Sequence, residues 1–178
     1  MKSNQRGFTL VELIIAVSIM VPVSLAAGAA IYQVMRNVDK NNDYVTAVNQ
    51  VENAGFWIAR DAQMAVGVST GNLSTPYFLE FRWTEFNATG IPTYHSVDYF
   101  FENMVNSVGK LKRTHTIGTS EEETNVVGTY IYYEPSDNKT SMVNYQTRIL
   151  TLKLTLVLEK ATETKEYKIN QRVNLNAQ

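Results

Sequence analysis

Glu12 is the only formal charge among the 28 residues from Phe8 to Met35, FTLVELIIAVSIMVPVSLAAGAAIYQVM. A lone carboxylate in such a run is a functional residue by default, because a charge near the middle of a bilayer costs about 2.5–3.5 kcal/mol on insertion scales. The chemistry open to it is ion pairing. No basic residue lies within the run, so the partner has to come from another chain or from an amine created by processing. Other residues with chemical potential are thinly spread. His95 and His115 are the only histidines and stand in no HExxH or other close ligand spacing, so no shared metal or catalytic role is expected of them. Asp39, Asn41 and Asp43 match the opening of a calcium loop, but Tyr44 replaces the turn glycine and Gln50 the bidentate carboxylate, which leaves a solvated helix flank. Glu121-Glu122-Glu123 reads as a solvated charge run in a polar loop, with a cation or a basic partner as the sharper alternative.

Whole classes drop out with these residues. No GxxxxGK, glycine-rich phosphate cradle or GxSxG elbow is present. With no cysteine there is no disulfide, thiolate metal site or thiol nucleophile. Sixteen basic against 17 acidic residues, net charge -1, argue against a surface built to neutralise phosphates, so no direct nucleic-acid contact is expected. The chain is read as a non-enzyme without cofactors.

The element that carries Glu12 is long enough to cross a membrane. A helix rises about 1.5 Å per residue across about 30 Å of hydrocarbon, so about 20 apolar residues suffice, and Phe8 to Tyr32 provides them. Lys2 and Arg6 precede the run while Arg36, Asp39, Lys40 and Asp43 follow it, which keeps the leader cytoplasmic and sends the rest outward. Pro22 removes one backbone donor mid-span and is expected to kink the helix, with Gly28 a second soft point. A secretory signal cut within SLAAGAA, Ser24 to Ala30, a plain signal anchor and a buried soluble helix are the competing readings.

The contiguous stretch Arg6-Gly7-Phe8-Thr9-Leu10-Val11-Glu12-Leu13, a basic leader ending in glycine before a long apolar helix, resembles the processing site of type IV prepilins and type II secretion pseudopilins. The resemblance covers roughly the first 35 residues. It implies that a prepilin peptidase cuts after Gly7 and methylates the new amine of Phe8. It also implies that Glu12 pairs with that amine on a neighbouring subunit, which would favour correct axial register more than net stability. Ala54 to Ala65, with Arg60-Asp61 near its end, and the closing Arg172-Val173-Asn174-Leu175 look like J-type minor pseudopilins. Two departures stand out: there is no cysteine for the C-terminal disulfide common in pilins, and Pro22 lies nearer the N-terminus than their usual kinking proline.

Beyond the span, Val34, Val38, Val45, Val48, Val51, Ile58, Ala62 and Ala65 recur at helical spacing, so the helix should continue to about Ala65, with 41–45 a weak point because Asn and Asp favour caps. The period then becomes two. Tyr77, Leu79, Phe81 and Trp83 share one strand face; Val97, Tyr99 and Phe101 another; Leu150, Leu152, Leu154, Leu156 and Leu158 a third; and Tyr167, Ile169, Gln171 and Val173 a fourth. Shorter strands are expected at 110–116 and 126–133, a hairpin turn at 161–164, and loops at 67–75, 87–92 and 117–125. Phe78, Phe86, Phe100 and Tyr132 are candidates for exposed contact.

These readings converge on an α+β chain: leader 1–7, membrane and assembly helix 8–35, amphipathic continuation 36–66, and an extracytoplasmic head 67–178 with an antiparallel sheet of about five or six strands. The expected function is a minor pseudopilin of a type II secretion pseudopilus, at its tip. The alternatives are a type IV minor pilin for adhesion, motility or DNA uptake, or a signal-anchored binding domain that never polymerises. Expected partners are prepilin peptidase, other pilins or pseudopilins through the N-terminal helix, and the inner-membrane assembly platform.

Overall fold

The structure is a computed structural model that describes residues 8–70, 76–119 and 121–171, without the side chains of Glu121 and Glu122. The leader with Gly7, and the Arg172 to Leu175 segment with Val173, lie outside the described residues. A long N-terminal apolar helix is followed by an antiparallel sheet, the pilin-like α+β arrangement. The helix α1 spans Leu10–Met64 without a break at Pro22 or at 41–45. The chain divides into two compact units in sequence between Asn42 and Asp43, inside the stretch expected to be weak.

In the first unit every described residue from Phe8 to Asn42 is exposed. Leu, Ile, Val and Met side chains on all sides of a helix have no stable place in water, and a surface of this kind requires lipid or other helices around it. The start of the helix is closed by a capping box. The Thr9 backbone N–H and hydroxyl donate to Glu12 Oε2 at 2.9 and 2.8 Å, and the Glu12 N–H donates back to Thr9 Oγ1 at 3.3 Å.

Among the described residues of the second unit, eight strands form one antiparallel sheet: β1 (Gly67–Ser69), β2 (Tyr77–Phe86), β3 (Pro92–Val105), β4 (Val108–Ile117), β5 (Glu121–Tyr132), β6 (Met142–Gln146), β7 (Ile149–Val157) and β8 (Thr162–Asn170). Strands β1 to β5 follow in chain order. The leucine strand β7 is the hub. Strand β8 pairs with it from Ile149 to Val157, while β6 takes the other edge over Ile149 to Lys153 and β5 joins it at Leu156 through Ile131. Leu150, Leu152, Leu154 and Leu156 are buried with Leu79, Phe81, Val97, Tyr99 and Leu111 against the helix residues Ala47, Val51, Ala54, Ile58 and Ala62.

Four expectations need correction. The sheet has eight strands rather than five or six, because β1 is too short for alternation to register and β6 (MVNYQ) has a weak pattern. Phe78 is buried and Tyr77 exposed, the reverse of the expected phase, since the β2–β3 register shifts between Tyr77 and Leu79 and the bulge turns Phe78 inward onto Phe101 and Tyr133. Most of the expected 117–125 loop is strand, because Glu121 to Asn125 pair with Ile117 to Arg113, so the acidic triad begins strand β5 instead of lying in a loop. The last hairpin turns at 158–161, closed by the Leu158 N–H on the Ala161 carbonyl, and β8 already begins at Thr162.

Small residues let the helix approach the sheet. The Tyr167 ring fills the place a side chain on Gly55 would take, and its hydroxyl donates to the Val51 carbonyl at 3.3 Å. Gly55→Val is therefore expected to expel that ring and cost about 1–3 kcal/mol as overpacking. In a Tyr167→Ala background the same change should cost clearly less, a coupling that a double-mutant cycle of urea unfolding would measure.

Candidate functional site

Of the residues expected to act, Gly7 lies outside the described residues, and Phe8, Glu12 and Pro22 lie in the fully exposed N-terminal stretch. Phe8 is 89% exposed and immediately precedes the N-cap Thr9. In the single chain the Glu12 carboxylate is engaged by Thr9, so the acid satisfies donors that the helix start would otherwise leave open. The sequence carried this signal in Thr9-x-x-Glu12 ahead of an apolar run.

A second site was not anticipated. Asp61, on the buried face of the helix between Ile58 and Ala62, has no exposed surface. It accepts from Tyr99 Oη at 2.5 Å on β3, and from Arg113 Nε at 2.7 Å and Nη2 at 3.0 Å on β4. The Arg113 guanidinium also lies 5.0 Å from the Trp57 ring centroid, while Arg60 covers the same ring at 5.1 Å. Burial works against the Arg113 charge, but the hydrogen bonds and charge of Asp61 outweigh it and hold its pKa above the ordinary value. Burial, with the Asp61 charge behind it, pushes the Tyr99 phenol well up, so it stays a neutral donor. This arrangement is a lock that fixes the helix on β3 and β4; nothing in it offers a nucleophile or an open ligand position.

The two histidines, which sequence spacing kept apart, are neighbours. His95 and His115 share the helix-facing side of β3 and β4 with Val97, Tyr99 and Arg113. His95 Nδ1 lies 3.1 Å from His115 Nε2, and the His95 ring stacks parallel on Trp83 at 5.0 Å. Ring centroids 5.3 Å apart with nitrogens at 3.1 Å place the rings end to end, a hydrogen-bond geometry rather than one converging on a metal. No group of three His, Cys, Asp or Glu side chains suited to a metal occurs among the described residues.

Burial, then the Arg113 charge and that of His95, lower the His115 pKa from 6.5, against the pull of Asp61 and Glu123. The unfolded chain therefore binds this proton more readily. The stability contributed by neutral His115 is complete above pH 6.5 and is lost as the pH falls below it. The urea midpoint of the head should drop on acidification from pH 6.5, and His115→Gln should flatten that drop.

An open cleft of about 520 Å³ lies between the start of β2 and the 133–143 segment, lined by Tyr77, Phe78, Tyr133, Asp137, Ser141 and Met142 among others. Asp137 is already engaged by the Tyr132 hydroxyl at 2.8 Å and the Lys139 N–H at 2.9 Å. The one carboxylate among the described lining residues is therefore already held by its neighbours.

Comparison with known proteins bears on the N-terminal region alone. A family model described as the prokaryotic N-terminal methylation motif matches residues 2–28. No curated protein and no solved structure matches the chain. The motif and the exposed apolar helix together support a membrane-anchored prepilin of the type IV pilin and pseudopilin kind, a structural protein processed by prepilin peptidase and assembled with other pilins.

Proposed function

We propose that the chain is a minor pseudopilin, cut between Gly7 and Phe8, methylated on Phe8, and built into a type II secretion pseudopilus at or near its tip. Residues 1–7 are then the leader, 8–35 the membrane and assembly helix, 36–66 its continuation and 67–178 the head. The leader faces the cytoplasm and the head lies outside the inner membrane. The observation that carries this reading is the stretch from Phe8 to Met35, helical from Leu10, apolar around its circumference and exposed throughout, with Glu12 its one charge. Such a helix is stable in lipid and again when packed among like helices, which is what extraction from a membrane into a filament demands.

Glu12 has a place in both states. In the lone subunit it caps its own helix through Thr9, which reduces the cost of a carboxylate in the bilayer. In the filament the cut amine of a neighbouring Phe8 takes over, and the exchange is favourable only in the correct register. Pro22 lacks the N–H that would tie it to Ser18, and supplies the point where the helix bends to fit its neighbours.

The likeness of the closing Arg172-Val173-Asn174-Leu175 to J-type subunits, with that of Ala54 to Ala65 beside it, supports the minor pseudopilin over a type IV minor pilin. The second reading draws on the β2–β3 hairpin tip, where Phe86, Ile91 and Tyr94 are exposed on a turn held by Asn87 Oδ1, a surface suited to contact.

The test is co-purification of the chain with other pilin-type subunits from cells with and without prepilin peptidase. Peptidase-dependent recovery in the sheared filament fraction supports the proposal. Recovery only in the membrane fraction in both cases would mean an anchored head that never polymerises.

A further inference from the structure

His95 Nε2 is the buried side-chain nitrogen left without a hydrogen-bond partner among the described residues, and the His95 side chain is only 9% exposed. A carboxylate oxygen, Glu85 Oε2 on β2, lies 3.6 Å away, on a side chain that is 62% exposed. At its other nitrogen His95 meets His115. Glu85, His95 and His115 thus form a line across β2, β3 and β4, with Trp83 stacked on His95. The other charged groups acting on His115 are Arg113 on the same strand, Asp61 from the helix and Glu123 from β5, which pairs directly opposite it.

We propose that Glu85, His95 and His115 act as a one-proton switch whose proton is relayed through His115 and stored on His95. The hydrogen count fixes the two states. When both rings are neutral, His95 Nε2 must carry the hydrogen if it is to face a carboxylate, so His95 Nδ1 is an acceptor and His115 Nε2–H donates to it. A proton from water then binds Nδ1 of the half-buried His115, and the hydrogen on His115 Nε2 passes to His95 Nδ1. One N–H bond forms on each ring and one breaks on His115, so the single added proton is accounted for. His95 is now an imidazolium donating from both nitrogens, to His115 Nε2 and to Glu85, and His115 has changed tautomer. A second proton has no place: it would set two N–H groups against each other across 3.1 Å. Burial and the Arg113 charge oppose it as well.

The consequence is local and mechanical. The first proton gives Glu85, which already accepts from Trp83 Nε1 at 3.1 Å, a second and charged donor and draws its other oxygen in toward the stack, one residue from Phe86 at the exposed hairpin tip. The switch belongs to the head and holds whether or not the chain assembles into a filament.

Nitrogen-15 NMR of the imidazoles tests it, on the full chain in detergent micelles prepared without a polyhistidine tag. With two histidines in the chain, a single His115→Gln spectrum assigns both. The expected result is sequential titration: His95 becomes an imidazolium while His115 stays neutral and its Nε2 changes from protonated to unprotonated. Glu85→Gln should make that first step less favourable, because His95 Nε2 then faces a neutral amide instead of a carboxylate. Two independent titrations, with His115 Nε2 protonated at every pH, would overturn the switch.

Discussion

Replacing Asp61 by alanine is expected to lower the stability of the head by about 3–5 kcal/mol, the usual cost of stranding one partner of a buried ion pair. The change leaves the Arg113 guanidinium, whose side chain is 4% exposed, without its carboxylate, and the Tyr99 hydroxyl without its acceptor. A domain of this size has about 5–15 kcal/mol in total, so the variant should be marginal or unfolded. Arg113→Ala should cost a similar amount. Tyr99→Phe removes one neutral donor from an acceptor that keeps two others, and should cost about 1 kcal/mol. The triple change Asp61→Leu, Arg113→Met, Tyr99→Phe should recover most of the loss, because a packed apolar set carries no desolvation penalty. Urea unfolding of the full chain in micelles, followed by Trp57 fluorescence beside Arg113, reads all four. If Asp61→Ala unfolds within about 1 kcal/mol of the parent, the lock does not hold the helix on the sheet.

Glu12→Val is expected to abolish incorporation into filaments while insertion and cleavage continue. Insertion should not suffer, since the change removes the one charge from the span. Assembly should, because a buried neighbouring amine would be left unpaired at about 3–5 kcal/mol, or a hundredfold or more in incorporation. Loss of the Thr9 cap could produce a weaker version of the same defect, and Glu12→Gln separates the two causes. Glutamine at that position still closes a capping box but carries no charge. A Gln variant as defective as Val assigns the effect to the ion pair; one that assembles like the parent assigns it to the cap. Engineered cysteine pairs between subunits give a background-free readout, as the chain has no cysteine of its own.

Much of the fold was open to reading because it depends on simple patterns. The span needs only composition, and β7 shows its leucines at every second position. What escaped depends on pairing between distant residues. Asp61 meets Tyr99 and Arg113 across 38 and 52 residues, and only its place between Ile58 and Ala62 on the helix, with Arg113 between Leu111 and His115 on β4, hinted at buried charge. His95 shares the parity of Val97, Tyr99 and Phe101, so its inward orientation was legible, yet its meeting with His115 required the β3–β4 register. A bulge moved Phe78 inward, and alternation cannot show a bulge. Thr9-Leu10-Val11-Glu12 resembles a processing signature and is a helix cap as well; one set of residues carries both meanings.

Processing of the chain as a prepilin is read from the intact mass and N-terminal sequence of the membrane-extracted protein, with and without co-expressed prepilin peptidase. The expected result is a peptidase-dependent start at N-methylated Phe8. A start within Ala27 to Ile31 would show a secreted head, and an uncut Met1 in the presence of active peptidase would show an anchored one; either would contradict the account.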